Sequence, residues 1–174
     1  MMSFCQYFLC FAVFSFIGWA YETVYYSIQQ RKFVNSGFLS TCFCPIYGMG
    51  AMLDLILLGW IENPLILFFA GMVVTCSLEY FVSWLLETLF HKRWWDYTGE
   101  PFNFQGRISL AYSIAWGIIG TIFVEKIHPF LKKQLEKLTI KIPHKVQVIL
   151  LNVFLVIILI DFVMSITRYS IALY

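Results

Sequence analysis

The chain has 174 residues, of which 60% are hydrophobic, 20% aromatic and only 13% charged, with a formal net charge of +2. The soluble average is about half apolar and a quarter charged, so an ordinary soluble domain is excluded. The small net charge, with its basic residues mostly between apolar runs, also excludes nucleic acid as a partner.

A membrane crossing needs roughly 20 apolar residues, and five stretches qualify, joined by short connections that leave no length for a separate soluble catalytic domain. The first expected helix covers about 4–28; it has an uncharged start and continues past Gly18 without a small-residue cleavage site, as a retained helix and not a secretory leader would. The second covers about 42–60, and Pro45, Gly48 and Gly50 are expected to break or unwind its first turns. The third covers about 65–90, the fourth about 108–127 and the fifth about 146–169. Between the third and fourth, Trp94 to Arg107 mixes belt aromatics with turn formers and charges, and reads as an interfacial or re-entrant loop. Between the fourth and fifth, Pro129 to Lys145 interleaves apolar residues with Lys132, Lys133, Lys137, Lys141 and Lys145, which suits either a basic amphipathic segment on lipid headgroups or a solvated loop. The fold class expected is therefore all-α and membrane-integral, a single transmembrane domain over 1–174 built as a bundle of about five helices.

Five cysteines, at 5, 10, 42, 44 and 76, are an odd number. Three of them lie in apolar runs where they act as small hydrophobes, and no disulfide framework is expected. Cys42 and Cys44 are too close together for usual zinc-ligand spacing and have no second pair, so neither a metal nor a cofactor is expected. His91, His128 and His144 fall at the ends of apolar runs, where belt and loop roles are common.

The informative residues are polar ones inside the apolar runs. Alternating crossings bring Glu22, the Pro45 to Gly50 break, Glu87, the Trp94 to Arg107 loop, Asp161 and Arg168 toward one side of the membrane. Thr75, Glu79, Ser83 and Glu87 recur every fourth residue and form one stripe on the third helix. Glu79 lies mid-span, where a charged carboxylate costs a few kcal/mol and needs a partner, a proton or a cation. Ser15, Gly18, Glu22 and Gln29 lie at near-helical spacing on the first helix, and Asp54 sits deep in the second. Arg107, with Asn103 beside it, is the expected counter-charge, able to bridge two carboxylates through its planar fork. Arg168 is a candidate partner for Asp161. Ser109, Ser113, Gly117 and Thr121, with Gly120, form a small-residue face on the fourth helix, the pattern of close intramolecular helix packing. If Arg107 and Arg168 are committed to internal pairs, the lysine loop carries the basic surplus and is the cytoplasmic side.

The ordered motifs Gly18-Trp19-x-x-Glu22, Phe33-Val34-Asn35-x-Gly37-Phe38-Leu39, Pro45-Ile46-Tyr47-Gly48-x-Gly50, Glu79-Tyr80-x-x-Ser83, Glu87, Trp94-Trp95-Asp96-Tyr97 and Asn103-x-x-Gly106-Arg107-Ile108 run through nearly the whole chain. Through them it resembles the putative ABC-transporter type IV family of bacterial multi-pass membrane proteins. One departure is Cys42-Phe43-Cys44, where relatives usually carry a Gly-Pro-containing segment. The resemblance implies a bacterial cell membrane and a transporter permease component surrounded by lipid. There is no P-loop here, so a separate ATPase subunit would supply ATP hydrolysis, and so small a permease would need a homo-oligomer or larger assembly.

Candidate substrate-binding or coupling residues are Glu22, Glu79, Ser83, Glu87, Asp96, Asn103 and Arg107, with Asp54, Asp161 and Arg168 secondary. Two other readings compete. One is a membrane-embedded enzyme acting on a lipid-linked or amphipathic substrate, for which no catalytic signature is present. The other is a non-catalytic assembly subunit, in which Glu22, Glu79, Glu87, Asp96 and Arg107 are a structural ion-pair network.

Overall fold

The computed structural model describes Phe4–Ile171, without the side chains of Leu138 and Thr139. Its elements in chain order are α1 (Phe4–Gln30), α2 (Pro45–Leu58), α3 (Pro64–Phe90), β1 (Asn103–Phe104), β2 (Ile108–Ser109), α4 (Leu110–Ile122), a π-helical turn (Phe123–Ile127), α5 (His128–Lys141) and α6 (His144–Ile171). Among the described residues four helical runs are long and apolar enough to cross a membrane, namely Phe4–Gln30, Pro64–Phe90, Leu110–Lys137 and His144–Ile171. At about 1.5 Å per residue, runs of this length exceed the ~30 Å hydrocarbon core. With 14 residues, α2 reaches only about 21 Å.

Burial runs opposite to that of a water-soluble protein. Ser15, Ser109 and Ser165 are fully buried and Asp54, Glu79 and Asp161 nearly so, whereas Val73, Leu159 and Ile56 are each more than 60% exposed. Lipid in place of water accounts for this, since apolar side chains are at home on the outside and polar or small ones let helices approach and bond inside. The chain is a multi-pass membrane protein.

Local sequence explains the element ends. Asn63 caps α3, its side chain accepting the Leu65 and Ile66 N–H groups at 2.9 and 3.2 Å, and Pro64 takes the first helical position. His91 ends α3 in the left-handed conformation, its N–H closing on the Glu87 carbonyl at 2.9 Å. Pro45 starts α2 and does not interrupt it, because a first-position proline has no N–H to lose. The turns expected to be unwound around Gly48 and Gly50 are helical.

The fourth expected helix differs more. Ile108 and Ser109 belong to a strand, and the helical backbone runs through the π turn into α5 as far as Lys141, so the lysine segment is helix and not loop. Pro129 accounts for the π turn, since a proline ring meets the carbonyl four residues back and the helix relieves this by widening just before it.

The chain divides into two compact units. In the first, Met1–Gly48 with Phe130–Tyr174, α1 packs on α6, with Phe154 edge-on to both Phe8 and Phe43 at centroid distances of 5.2 and 4.9 Å. Gly18 lies flat against the Tyr47 ring, and Gly48 sits on the Phe11 carbonyl and Ser15. In the second, Met49–Pro129, α3 and α4 pack closely. Leu67, Gly71, Glu79 and Ser83 are buried on α3, and Ser113, Gly117 and Gly120 on α4; of the two expected stripes, Thr75, Glu87 and Thr121 are only partly buried.

A Cβ on Gly48 would stand 2.6 Å from the Phe11 backbone oxygen, which cannot turn away as a side chain could. Gly48→Ala should therefore lower stability by about 1–3 kcal/mol, read as a fall in detergent-solubilised thermal midpoint. Gly99→Ala, with no atom within 4 Å of the added carbon, should leave the midpoint unchanged.

Candidate functional site

A chain of polar contacts within one unit runs from α3 into the Trp94–Arg107 loop. Glu87 lies in the last turn of α3, and its Oε1 accepts the Arg93 Nε–H at 2.8 Å while Oε2 accepts from Arg107 Nη2. Arg107 Nη1 donates to Gln105 Oε1 at 2.7 Å, and the same oxygen accepts the Tyr80 hydroxyl at 2.8 Å. The Arg107 guanidinium lies 5.5 Å from the Tyr80 ring centre. Arg93 also pairs with Asp96 at 3.3 Å, so two acids face two arginines with no net charge left over. Arg107 thus finds one carboxylate, Glu87, and the second arginine at that carboxylate is Arg93, which sequence reasoning missed.

The loop is braced from within. Asp96 Oδ1 accepts both the backbone N–H of Thr98, at 2.9 Å, and its hydroxyl. Asn103 donates to the Thr98 and Glu100 carbonyls at 3.2 and 2.9 Å and accepts the Gly106 N–H at 3.0 Å, so it shapes the loop and bridges no carboxylates. Asn103 pairs with Ser109 and Phe104 with Ile108 in the antiparallel β1–β2 hairpin, whose turn puts Gln105 and Gly106 at φ of 53° and 69°. Glycine is required at 106 on two counts, its positive φ and the Thr98 and Asp96 side-chain oxygens at 2.5 and 2.6 Å from any Cβ.

This brace delivers Tyr97 to Glu79. The Tyr97 N–H is fixed to the Gly106 carbonyl at 2.8 Å, its ring stacks on Tyr112 at 4.5 Å, and its hydroxyl donates to Glu79 Oε1 at 2.9 Å. Glu79 is only 7% exposed, and its other oxygen, Oε2, accepts no hydrogen bond among the described residues. The Trp116 indole N–H is set toward the same carboxyl. Among the described residues Glu79 has no basic partner. Ser83, one turn further along α3, is also buried.

Two other acids belong to the first unit and are held by hydroxyls and backbone. Glu22 accepts the Ser36 hydroxyl at 2.6 Å and the Tyr47 hydroxyl at 2.8 Å, with the Cys44 thiol at 3.9 Å. Asp161 accepts the Ser40 and Thr41 N–H groups at 3.0 and 2.8 Å and the Thr41 hydroxyl at 2.6 Å. Arg168 does not answer Asp161. It donates to Ser40 Oγ at 3.0 Å and the Phe38 carbonyl at 3.3 Å, so both side chains of α6 hold the same 38–41 segment. Ser36, Thr41, Tyr47 and Tyr97 give no signal in the sequence as carboxylate partners, because hydroxyls in loops are common and only the fold selects these four. The five-residue ion-pair network considered from the sequence thus reduces to Glu87, Asp96 and Arg107, joined by Arg93. No group of three or more His, Cys, Asp or Glu side chains able to hold a metal occurs among the described residues.

The Thr98 hydroxyl and N–H, and after them Arg93, hold the Asp96 carboxyl below its ordinary range. A lowered folded value means that its stabilisation of the loop is complete above the unfolded pKa of about 3.9 and is lost as pH falls through the folded value. The exchange protection factor of the Thr98 amide should accordingly hold down to about pH 4 and fall below it. Asp96→Asn should reduce protection at neutral pH and remove the dependence.

A family model described as putative ABC-transporter type IV matches residues 9–166. No curated protein and no solved structure matches the chain.

Proposed function

The chain belongs to the putative ABC-transporter type IV family, and from that membership we propose that it is the membrane-embedded permease component of a transporter, working in a bacterial cell membrane with a separate ATPase subunit. The observation that carries the proposal is Glu79: a carboxyl in the middle of a spanning helix, 7% exposed, held by the Tyr97 hydroxyl with the Trp116 indole beside it, and without a basic partner among the described residues. A purely structural acid at that depth is expensive unless fully paired, whereas a half-satisfied one holds an acceptor ready for a donor that arrives.

In this reading the site residues divide by role. Glu79 and Ser83 line the binding position, and Glu87, Asp96, Asn103 and Arg107 hold the loop that closes over it. In the Met1–Gly48 and Phe130–Tyr174 unit Glu22 is a separate candidate contact, and Asp161 and Arg168 fix the 38–41 segment there. The neutral charge balance of Glu87, Asp96, Arg93 and Arg107 argues against a site for an anionic headgroup, and the orphan acceptor of Glu79 favours a substrate group that donates a hydrogen bond. Pathway formation by so small a subunit calls for a second copy or a larger assembly.

Gentle extraction of a tagged protein from its native membrane, followed by mass spectrometry, should recover a P-loop ATPase in stoichiometric amount. Glu79→Gln should keep that partner and the fold while abolishing substrate-stimulated ATP hydrolysis. Recovery of the protein alone would overturn the ATPase-coupled reading, and unaltered hydrolysis in Glu79→Gln would remove Glu79 from the site.

A further inference from the structure

Asp54 is the second deeply buried carboxyl of the Met49–Pro129 unit, a secondary coupling candidate from the sequence to which the site described above assigns no contact. It is 3% exposed, and its Oδ1 accepts no hydrogen bond among the described residues. Among the described residues no Lys, Arg or His pairs with it. Its shown neighbour across the helix contact is a glycine. A Cβ on Gly120 of α4 would stand 2.9 Å from Asp54 Oδ2, so the carboxyl occupies the space that the missing side chain leaves. One turn along α2, Leu58 reaches Gly71 of α3, which itself meets Gly117 of α4. Asp54 therefore sits where α2, α3 and α4 converge on three glycines.

The ionisable surroundings are sparse. On α4 the stretch from Trp116 to Val124, a full turn on either side of Gly120, has no ionisable side chain. On α2 no other acid or base lies between Met49 and Leu58. On α3 the groups turned toward α4 are Cys76, whose thiol donates to Ser113 Oγ at 3.0 Å, and Glu79, which the Trp116 indole faces. Trp116 and Gly120 are four residues apart on one face of α4, about 6 Å along the helix axis, so the two carboxyls lie in succession beside it.

A bare carboxylate so buried, with no basic partner and an unbonded oxygen among the described residues, lacks what would offset its desolvation, whereas a neutral acid does not incur that cost. A metal would need further oxygen or nitrogen ligands, and no cluster able to supply them occurs among the described residues. The ligand that fits a single carboxyl with one free oxygen is a proton.

We propose that Asp54 is a proton-holding site, protonated while seated against Gly120 and deprotonated when the α2–α4 contact opens to water. In uptake, an O–H bond forms at one carboxylate oxygen as hydronium gives up its proton and becomes water, and the side chain goes from one negative charge to none; release is the reverse. Used as a coupling step, this rests on the transport reading above; as a proton site it stands without it.

Infrared difference spectroscopy of the whole protein in lipid nanodiscs, with no ATPase or substrate added, reads the carboxylic C=O stretch directly. A protonated-carboxyl band at neutral pH is expected, lost in Asp54→Asn, kept in Glu79→Gln and shifted in Gly120→Ala. It should disappear with a one-proton titration as pH is raised. Where Asp54→Asn fails to fold, carbon-13 aspartate replaces it as the assignment: the sequence has three aspartates, and Asp96 and Asp161 are carboxylates held by several donors, so a labelled neutral band belongs to Asp54. Absence of a labelled or Asp54-dependent neutral band throughout about pH 5 to 9 overturns the proposal. That result leaves the transporter reading intact, just as a protein without an ATPase partner would leave the proton site intact.

Discussion

The hydrogen bond from the Tyr97 hydroxyl to Glu79 is the interaction on which the polar architecture of the Met49–Pro129 unit turns. A carboxyl in an apolar helix has no water to solvate it, and an isolated ionised group at bilayer depth costs a few kcal/mol even on the mildest scales. One donor is thus worth much more here than on a water-exposed surface, and its position has to be secured by the rest of the unit. The loop does this in stages. Glu87 draws Arg93 and Arg107 onto the end of α3, Asp96 and Asn103 close the chain between them, and the turn at Gly106 fixes the Tyr97 backbone so that its ring lies on Tyr112 and its hydroxyl on Glu79.

The Met1–Gly48 and Phe130–Tyr174 unit meets the same constraint by the same means. A connecting segment folds back on a spanning helix and offers hydroxyls and backbone N–H groups to its acids, Ser36 to Glu22 and Ser40 with Thr41 to Asp161. Asp161, with three donors within 3.0 Å and Ser165 at 3.4 Å, is fully provided for. Glu79 and Asp54 are the exceptions, each with a buried oxygen that meets no donor at full hydrogen-bond geometry among the described residues. The difference separates acids whose donors fasten loops from the two that the proposals above concern.

Much of this was legible in the sequence. The four-residue recurrence of Thr75, Glu79 and Ser83 on α3, and of Ser113 and Gly117 on α4, puts polar and small groups on the facing sides because helical periodicity leaves no other arrangement. Two prolines act otherwise than their composition suggests: Pro45 starts a helix, and Pro129 widens one without ending it. The lysine segment was ambiguous because charge and leucine spacing fit a helix and a loop equally. Arg107 was recognisable as a counter-charge, but its choice of Glu87, and the arrival of Arg93 beside it, depend on the left-handed turn at His91 and on the hairpin, which no periodicity reports. Four carboxylate partners are hydroxyls whose distance in sequence, from 14 residues for Ser36 to 120 for Thr41, put them beyond any local pattern.

The central claim is that the loop and the spanning helix are coupled through Tyr97 and Glu79, and a double-mutant cycle of Tyr97→Phe and Glu79→Gln, followed by thermal unfolding in detergent, measures that coupling directly. The account predicts that the two substitutions interact by about 1 kcal/mol or more, with Tyr97→Phe costing little once Glu79 is an amide. Strictly additive effects would show that the hydroxyl and the carboxyl do not depend on each other, and would contradict it.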